Sequence, residues 1–385
     1  MKINLTSVKL KKGWITAVII LALCVVAVIY LASQFTQMWE ADTFYPGEGV
    51  TEQKMLSDYY AELKDTAGDT PIYILDSGVE GATMLVLGGT HANEPSGVLS
   101  ATYLLENCVP KAGRLIVIPE TNAAGFTCTD PQEASPMFYE IETPTGTRTF
   151  RYGSRATNPI YQWPDADIYV HASSGQTLSG AETRNINRTY PGRTDGTFTE
   201  KVSYAVTTLI NEEKVEVTID LHEASPEYIT VNAIVAHQDA IELSQWAKAF
   251  YLDDYYSISV EPSAVNFHGL THRELGDYTD TLAILMETAN PSQGRLHGAT
   301  SSDLVTTGSD KFYDRAYKAG RLSTAILSYD EETGESLALR SARHITAINS
   351  FAQSYVDCGL GTLDLGDIAS FEELSTNLYN YLAIK

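Results

Sequence analysis

The chain has 385 residues, of which 44% are hydrophobic and 19% charged, with 49 acidic side chains against 26 basic ones. That length supports a sizeable core, and the composition is that of a globular protein and not a disordered one. A formal net charge of −23 repels polyanions, which excludes nucleic acid as a partner and disfavours anionic lipid headgroups.

Taken in chain order, Lys2, Lys9, Lys11 and Lys12 precede Trp14 to Ala32, a run without a single charge. The run is long enough to cross a bilayer as a helix. A cleaved signal peptide is the competing reading, but Tyr30-Leu31-Ala32 does not offer the small-x-small pattern of a cleavage site. The expectation is therefore a cytoplasmic N-terminus at 1–13, a transmembrane anchor at 14–32 and an extracytoplasmic remainder, since basic flanks stay inside. Residues 33–50 read as a linker closed by a Pro-Gly turn. The four cysteines are widely spaced and Cys24 lies inside the apolar run, so they form no disulfide framework. A Cys108–Cys128 bridge and two unpaired thiols are equally open.

Next, "EQKMLSDYYAELKDTAG" has helical spacing of its apolar positions and ends at Gly68. From there "TPIYILDSG", "TMLVLGG", "GRLIVIPETN", "EVTIDLHEA", "YITVNAIVAH" and "LAILMET" read as strands, with "SGVLSATYLLENC" as a helix among them. Several are continuous apolar runs, which suits strands covered on both faces by helices. The fold class expected is α/β, with a mixed, mostly parallel central sheet flanked by helices, spanning 51–335. The irregular stretch 129–200 is rich in Pro, Gly, Thr and Asn and reads as a binding surface. Residues 336–385 are expected to form a C-terminal helical appendage.

The candidate chemistry sits at the ends of the apolar runs. His91 and Glu94 form the sequence's one His-x-x-acid pair, and about one is expected by chance, so the spacing alone says nothing. Read singly, His91 is a polar turn residue and Glu94 an acid at a helix N-terminus. The context is more telling, because "MLVLGG" runs straight into them, and ligands in open α/β sheets bind beyond the carboxyl ends of strands. "VTIDLHEA" ends at His222 with Asp220 on the same strand face, and "LAILMETAN" ends at Glu287. A catalytic zinc takes three protein ligands, commonly His₂Glu, and a remaining carboxylate can accept a proton from water. "AETRNINRTYPG" adds Arg184 and Arg188 around Asn187; guanidinium groups suit a substrate carboxylate, or else pair with the surplus acids.

In order and rough spacing, "GGTHANEPSG", "NRTYPG", "DLHEA" and "METAN", with "IPETNAAGF" before the arginine region, resemble the zinc carboxypeptidase-like superfamily. The branch they resemble is the succinylglutamate desuccinylase/aspartoacylase group, and the similarity covers roughly residues 70–290. The resemblance implies a zinc carboxypeptidase-like fold, with His91, Glu94 and His222 holding Zn²⁺. It implies Glu287 as general base and then acid, and Asn187 and Arg188 at the substrate carboxylate or carbonyl. The arginine that the family often places before the Asn-Arg pair has no obvious counterpart, and Arg184 or Arg155 is expected to fill in. Segment 266–279, with His268, His272 and Arg273, reads as a polar loop near the entrance, a second metal site being the alternative. The expected function is a membrane-anchored, extracytoplasmic, zinc-dependent amide hydrolase acting on a carboxylate-bearing peptide or N-acyl amino acid. A membrane-tethered binding protein on a decayed scaffold is the competing class, and an esterase or deacetylase a third; no expected ligand or base is missing.

Overall fold

The computed structural model describes residues 12–130, 134–323 and 334–385; the expected cytoplasmic lysines Lys2, Lys9 and Lys11 lie outside them. The chain divides into two compact units, Met1–Ala41 and Asp42–Lys385. In the first, helix α1 (Lys12–Gln37) is built from Leu, Ile, Val and Ala without an interior charge or proline. Its apolar side chains point outward all round, and it is long and apolar enough to cross a membrane.

Among the described residues, the second unit has twelve strands. They are β1 (Glu52–Met55), β2 (Pro71–Asp76), β3 (Thr83–Leu87), β4 (Arg114–Ile118), β5 (Phe138–Thr143), β6 (Gly146–Arg151), β7 (Ile168–Val170), β8 (Thr177–Ser179), β9 (Val217–Ala224), β10 (Ala233–Ala236), β11 (Ser259–Pro262) and β12 (Leu282–Ala289). Eight of them form one sheet in the order β1-β2-β4-β3-β9-β12-β10-β11. Its centre, β4-β3-β9-β12, is parallel throughout. The helices are α2 (Pro95–Asn107), α3 (Phe198–Glu213), α4 (Ile241–Ala247), α5 (Thr271–Tyr278), α6 (Ser302–Thr307), α7 (Lys311–Lys318), α8 (Leu337–Asp357) and α9 (Phe371–Asn377).

Side-chain alternation along the strands separates two cores. Met84, Val86, Leu115, Val117, Val217, Ile219 and Leu221 face α2 and α8, while Leu85, Leu87, Ile116 and Ile118 face α3 and Leu275 of α5. The sheet is thus covered on both faces, as its unbroken apolar runs require. On β9 the residues that alternate with Val217, Ile219 and Leu221 are Thr218, Asp220 and His222, buried polar groups on the α5 side. From β3 the chain moves to β4 on one side, while β9 lies on the other. The carboxyl ends of β3 and β9 therefore flank a topological switch point, where such sheets leave a crevice.

Several expectations are corrected. Residues 52–68 are not a helix but edge strand β1 followed by two single 3₁₀ turns. The carboxylates of Asp58 and Asp69 take the amides of Met55 and Ser57, so short polar side chains outcompete the helical ladder. From Asp42 onward the expected linker belongs to the second unit, with Tyr45 N–H on Glu106 and Gly47 N–H on Leu105 O. Helix α8 is no appendage: Ile345, Ile348 and Phe351 are fully buried in the core over α2. The irregular stretch folds partly into hairpins β5–β6 and β7–β8. All four cysteines are free thiols, so the Cys108–Cys128 bridge is not formed.

Candidate metal centre

β3 runs into Gly88 and Gly89, and Gly89 adopts a φ of +58°, where a side chain is strained and a Cβ would lie 2.9 Å from Pro119 O. The turn delivers His91 and Glu94 to the switch point before Pro95 opens α2, a position suited to proline. Glu94 does not cap its own helix. Its carboxylate instead joins two imidazoles, with Oε1 2.8 Å from His91 Nδ1 and Oε2 2.8 Å from His222 Nδ1. The Glu223 amide donates to the same Oε2 at 3.1 Å. All three side chains are about 1% exposed, and one ligand atom from each lies within 4.8 Å of the others.

The far nitrogen of each ring is anchored. His222 Nε2 meets Asp220 Oδ2 at 2.7 Å, and Asp220 is held by the hydroxyls of Thr90 and Thr271 at 2.6 and 2.7 Å. His91 Nε2 meets Asn185 Oδ1 at 3.0 Å. Acceptors at both Nε2 positions fix the two rings and turn both Nδ1 atoms toward Glu94, where each could ligate a metal once its proton is displaced. That is the arrangement by which proteins orient histidine ligands to a metal. Burial works against charge on His222, yet Asp220 and Glu94 raise its pKa well above the ordinary imidazole value. Two buried carboxylates flank the two imidazoles, and His₂Glu is a zinc donor set. The residues fit the ion.

Glu287 on β12 lies in register with His222 on β9. Burial raises its carboxyl to about 8; His222 pulls it down and Glu94 pushes it up. Arg155, on the loop after β6 and 43% exposed at its side chain, places Nη1 3.3 Å from His91 Nδ1 and 3.6 Å from Glu94 Oε1. Arg188 donates to Asn187 O at 2.6 Å and sits 4.8 Å over the Phe267 ring. Burial, with Arg155 close by, lowers its pKa to about 10. Arg155, Arg188 and Arg295 line a cleft of about 1140 Å³ with Asn93, Glu227 and Tyr228. Three guanidinium groups in one cleft are notable on so acidic a chain.

Two of the expected residues behave differently. Asn187 turns its carbonyl oxygen to Thr271, accepting from N at 2.9 Å and Oγ1 at 3.4 Å. Arg184 does not reach the cleft: Asp165 holds it through two bonds of 2.7 and 2.9 Å, and Thr157 O takes a third. The guanidinium near the ligands is Arg155. Segment 266–279 is not all loop, since Thr271–Tyr278 is helix α5. His272 bonds Ser263, and Arg273 pairs with Asp277. Sequence reasoning missed Asn185, whose signal was its place two residues before Asn187, and Arg295, which carried none.

No family model matches the chain, and no curated protein matches it. Among solved structures it is similar to a succinylglutamate desuccinylase from Silicibacter sp. TM1040 at 18% identity and TM-score 0.39, covering 78% of this chain and 63% of that one. It is similar to the product-bound ectoine utilization protein EutE (DoeB) from Ruegeria pomeroyi at 17% identity and TM-score 0.41, covering 78% and 64%. A third is a metallo-carboxypeptidase from Burkholderia cenocepacia, at 9% identity and TM-score 0.42, covering 79% and 68%. The chain spans less than two thirds of the length of the first two.

Proposed function

We propose that the chain is a zinc-dependent amide hydrolase, with His91, Glu94 and His222 as the metal ligands and Glu287 as the proton carrier. The observation that carries this reading is Glu94 bridging two buried imidazoles whose far nitrogens are both anchored. A zinc ion bound there supplies Lewis acidity, polarising a carbonyl and acidifying water. Glu287 takes the proton of the attacking water and hands it to the leaving nitrogen. Arg155, which takes the part that Arg184 or Arg155 was expected to fill, and Arg188 hold the substrate's carboxylate and meet negative charge as it develops on the carbonyl oxygen. Asn187 acts through α5, which it ties by Thr271 to Asp220 and so to His222.

The substrate proposed is a peptide or N-acyl amino acid with a free carboxylate, which the arginine-lined cleft suits. Residues 14–32 are proposed as an anchor with the hydrolase unit outside, on the strength of the basic N-terminal flank. The test uses the full chain in detergent, with zinc measured per chain and hydrolysis read on N-acyl amino acids and peptides. Hydrolysis that is lost on chelation and restored by zinc is expected; a chain without bound zinc, or a zinc-loaded chain inert on the whole set, overturns the proposal.

A further inference from the structure

A second group of donors lies behind the arginine segment, outside the proposed hydrolysis. His171 follows β7, His268 precedes α5 and Glu274 stands in the first turn of α5; one ligand atom from each lies within 4.8 Å of the others. His171 repeats the pattern of His91 and His222. Its Nε2 donates to Tyr190 O at 2.6 Å, which leaves the lone pair at Nδ1, where the Ser174 hydroxyl now sits at 2.8 Å. His268 Nδ1 is 2.7 Å from Glu274 Oε1, which also accepts from Gly269 N at 3.0 Å. Gln176 grips the His268 backbone twice, accepting from its N–H at 2.9 Å and donating to its carbonyl at 3.1 Å. The donors are thus held by hairpin β7–β8 on one side and by the entry to α5 on the other.

Burial and access differ within the group in a way that suits an ion. His171 and Glu274 are nearly fully buried, while the His268 side chain is 28% exposed and opens the group to solvent. A separate cavity of about 410 Å³, lined by His171, Thr189, Pro191 and Tyr278, adjoins it. Two imidazoles beside one carboxylate form a donor set that suits zinc-class ions over Mg²⁺ or Ca²⁺, which prefer all-oxygen ligands. The location carries a consequence. Tyr190, which takes the His171 proton, is two residues past Arg188, and its N–H bonds Gly269 O at 3.2 Å. Thr271, three residues past His268, holds Asn187 and Asp220.

We propose that His171, His268 and Glu274 bind a second, structural divalent cation of the zinc class, which ties hairpin β7–β8 to α5 and braces the segment carrying Asn187 and Arg188. The competing arrangement is a His268–Glu274 ion pair that caps Gly269, with no metal.

The test is zinc content of the full chain in detergent, stripped by chelation and reloaded, for wild type, His268→Ala, Glu274→Gln and His91→Ala. The expected result is two equivalents in wild type and one in His268→Ala, with the zinc-induced rise in Tm reduced. His91→Ala loses the other equivalent independently, so failure at the catalytic centre and failure here are read apart. Should His268→Ala not fold, the conservative Glu274→Gln is read in the same way. Zinc content unchanged from wild type in both His268→Ala and Glu274→Gln overturns the second site.

Discussion

Glu287 lies opposite His222 on the adjacent parallel strand, yet its Oε2 is buried and meets no hydrogen-bond donor among the described residues. Every other acid at the switch point is occupied: Glu94 by two imidazoles, Asp220 by two threonines and His222, and Glu223 by Asn290 and Arg340. A buried polar atom without a partner is costly unless function requires it. At neighbouring positions of one parallel pair, His222 is held by two carboxylates while Glu287 keeps an unpaired oxygen, which supports the proton-carrier role proposed for it.

Asp220 is fully buried and fixes the ring of His222. Asp220→Asn keeps the shape but weakens the acceptor at Nε2. Zinc affinity is expected to fall about 10–100-fold, read by chelator competition. An unchanged affinity would show that the tautomer of His222 is set by something else.

Arg155 and Arg184 separate a role in the cleft from a role in the scaffold. Arg155→Met is expected to lower kcat/KM with little change in Tm, because the side chain is only half-buried and lines the cleft. Arg184→Met leaves Asp165 without its bidentate partner, and the expected effect is on Tm with KM preserved. The reverse pattern would return Arg184 to the site.

Arg340 of α8 is fully buried against Glu223, the residue after His222. It also donates to the carbonyls of Glu335 and Val305. Removing one partner of such a pair leaves an uncompensated buried charge. Arg340→Met is expected to destabilise the fold by roughly 3–5 kcal/mol in urea unfolding. A loss no larger than that of a surface substitution would contradict the placement of α8 in the core.

Glu213 gathers Lys54, Tyr59 and Arg114 at 2.6, 2.6 and 2.5 Å. Burial opposes its charge, but these hydrogen bonds hold its pKa down to about 2. A depressed carboxyl stabilises the fold at pH values above its unfolded pKa, and that contribution fades as pH falls through the folded one. The Tm difference between wild type and Glu213→Gln is therefore expected to shrink as pH drops from about 4.5 toward 2. A constant difference across that window would contradict the depressed pKa.

These contacts also show what was legible in the sequence. The sheet could be read because continuous apolar runs such as Leu85–Leu87 and Ile116–Ile118 have few other uses. His91, Glu94, His222 and Glu287 stood out because each ends such a run, and the structure brings those ends together at the switch point. Residues 52–68 misled because β1 is a polar edge strand, held by Glu213 and by pairing with β2 and not by its own pattern. Helix α8 resembled a surface helix, since Arg340, Arg343 and His344 look solvent-facing until their buried surroundings are known. Arg184 and Arg155 are equal as residue types; only Asp165, brought near by the folded loop, decides between them.

The measurement that bears most directly on the mechanism is turnover by Glu287→Gln with its zinc content determined on the same sample. Zinc at the wild-type stoichiometry is expected, with hydrolysis reduced by about 10²–10⁴-fold. Zinc retained with turnover close to wild type would contradict Glu287 as the proton carrier.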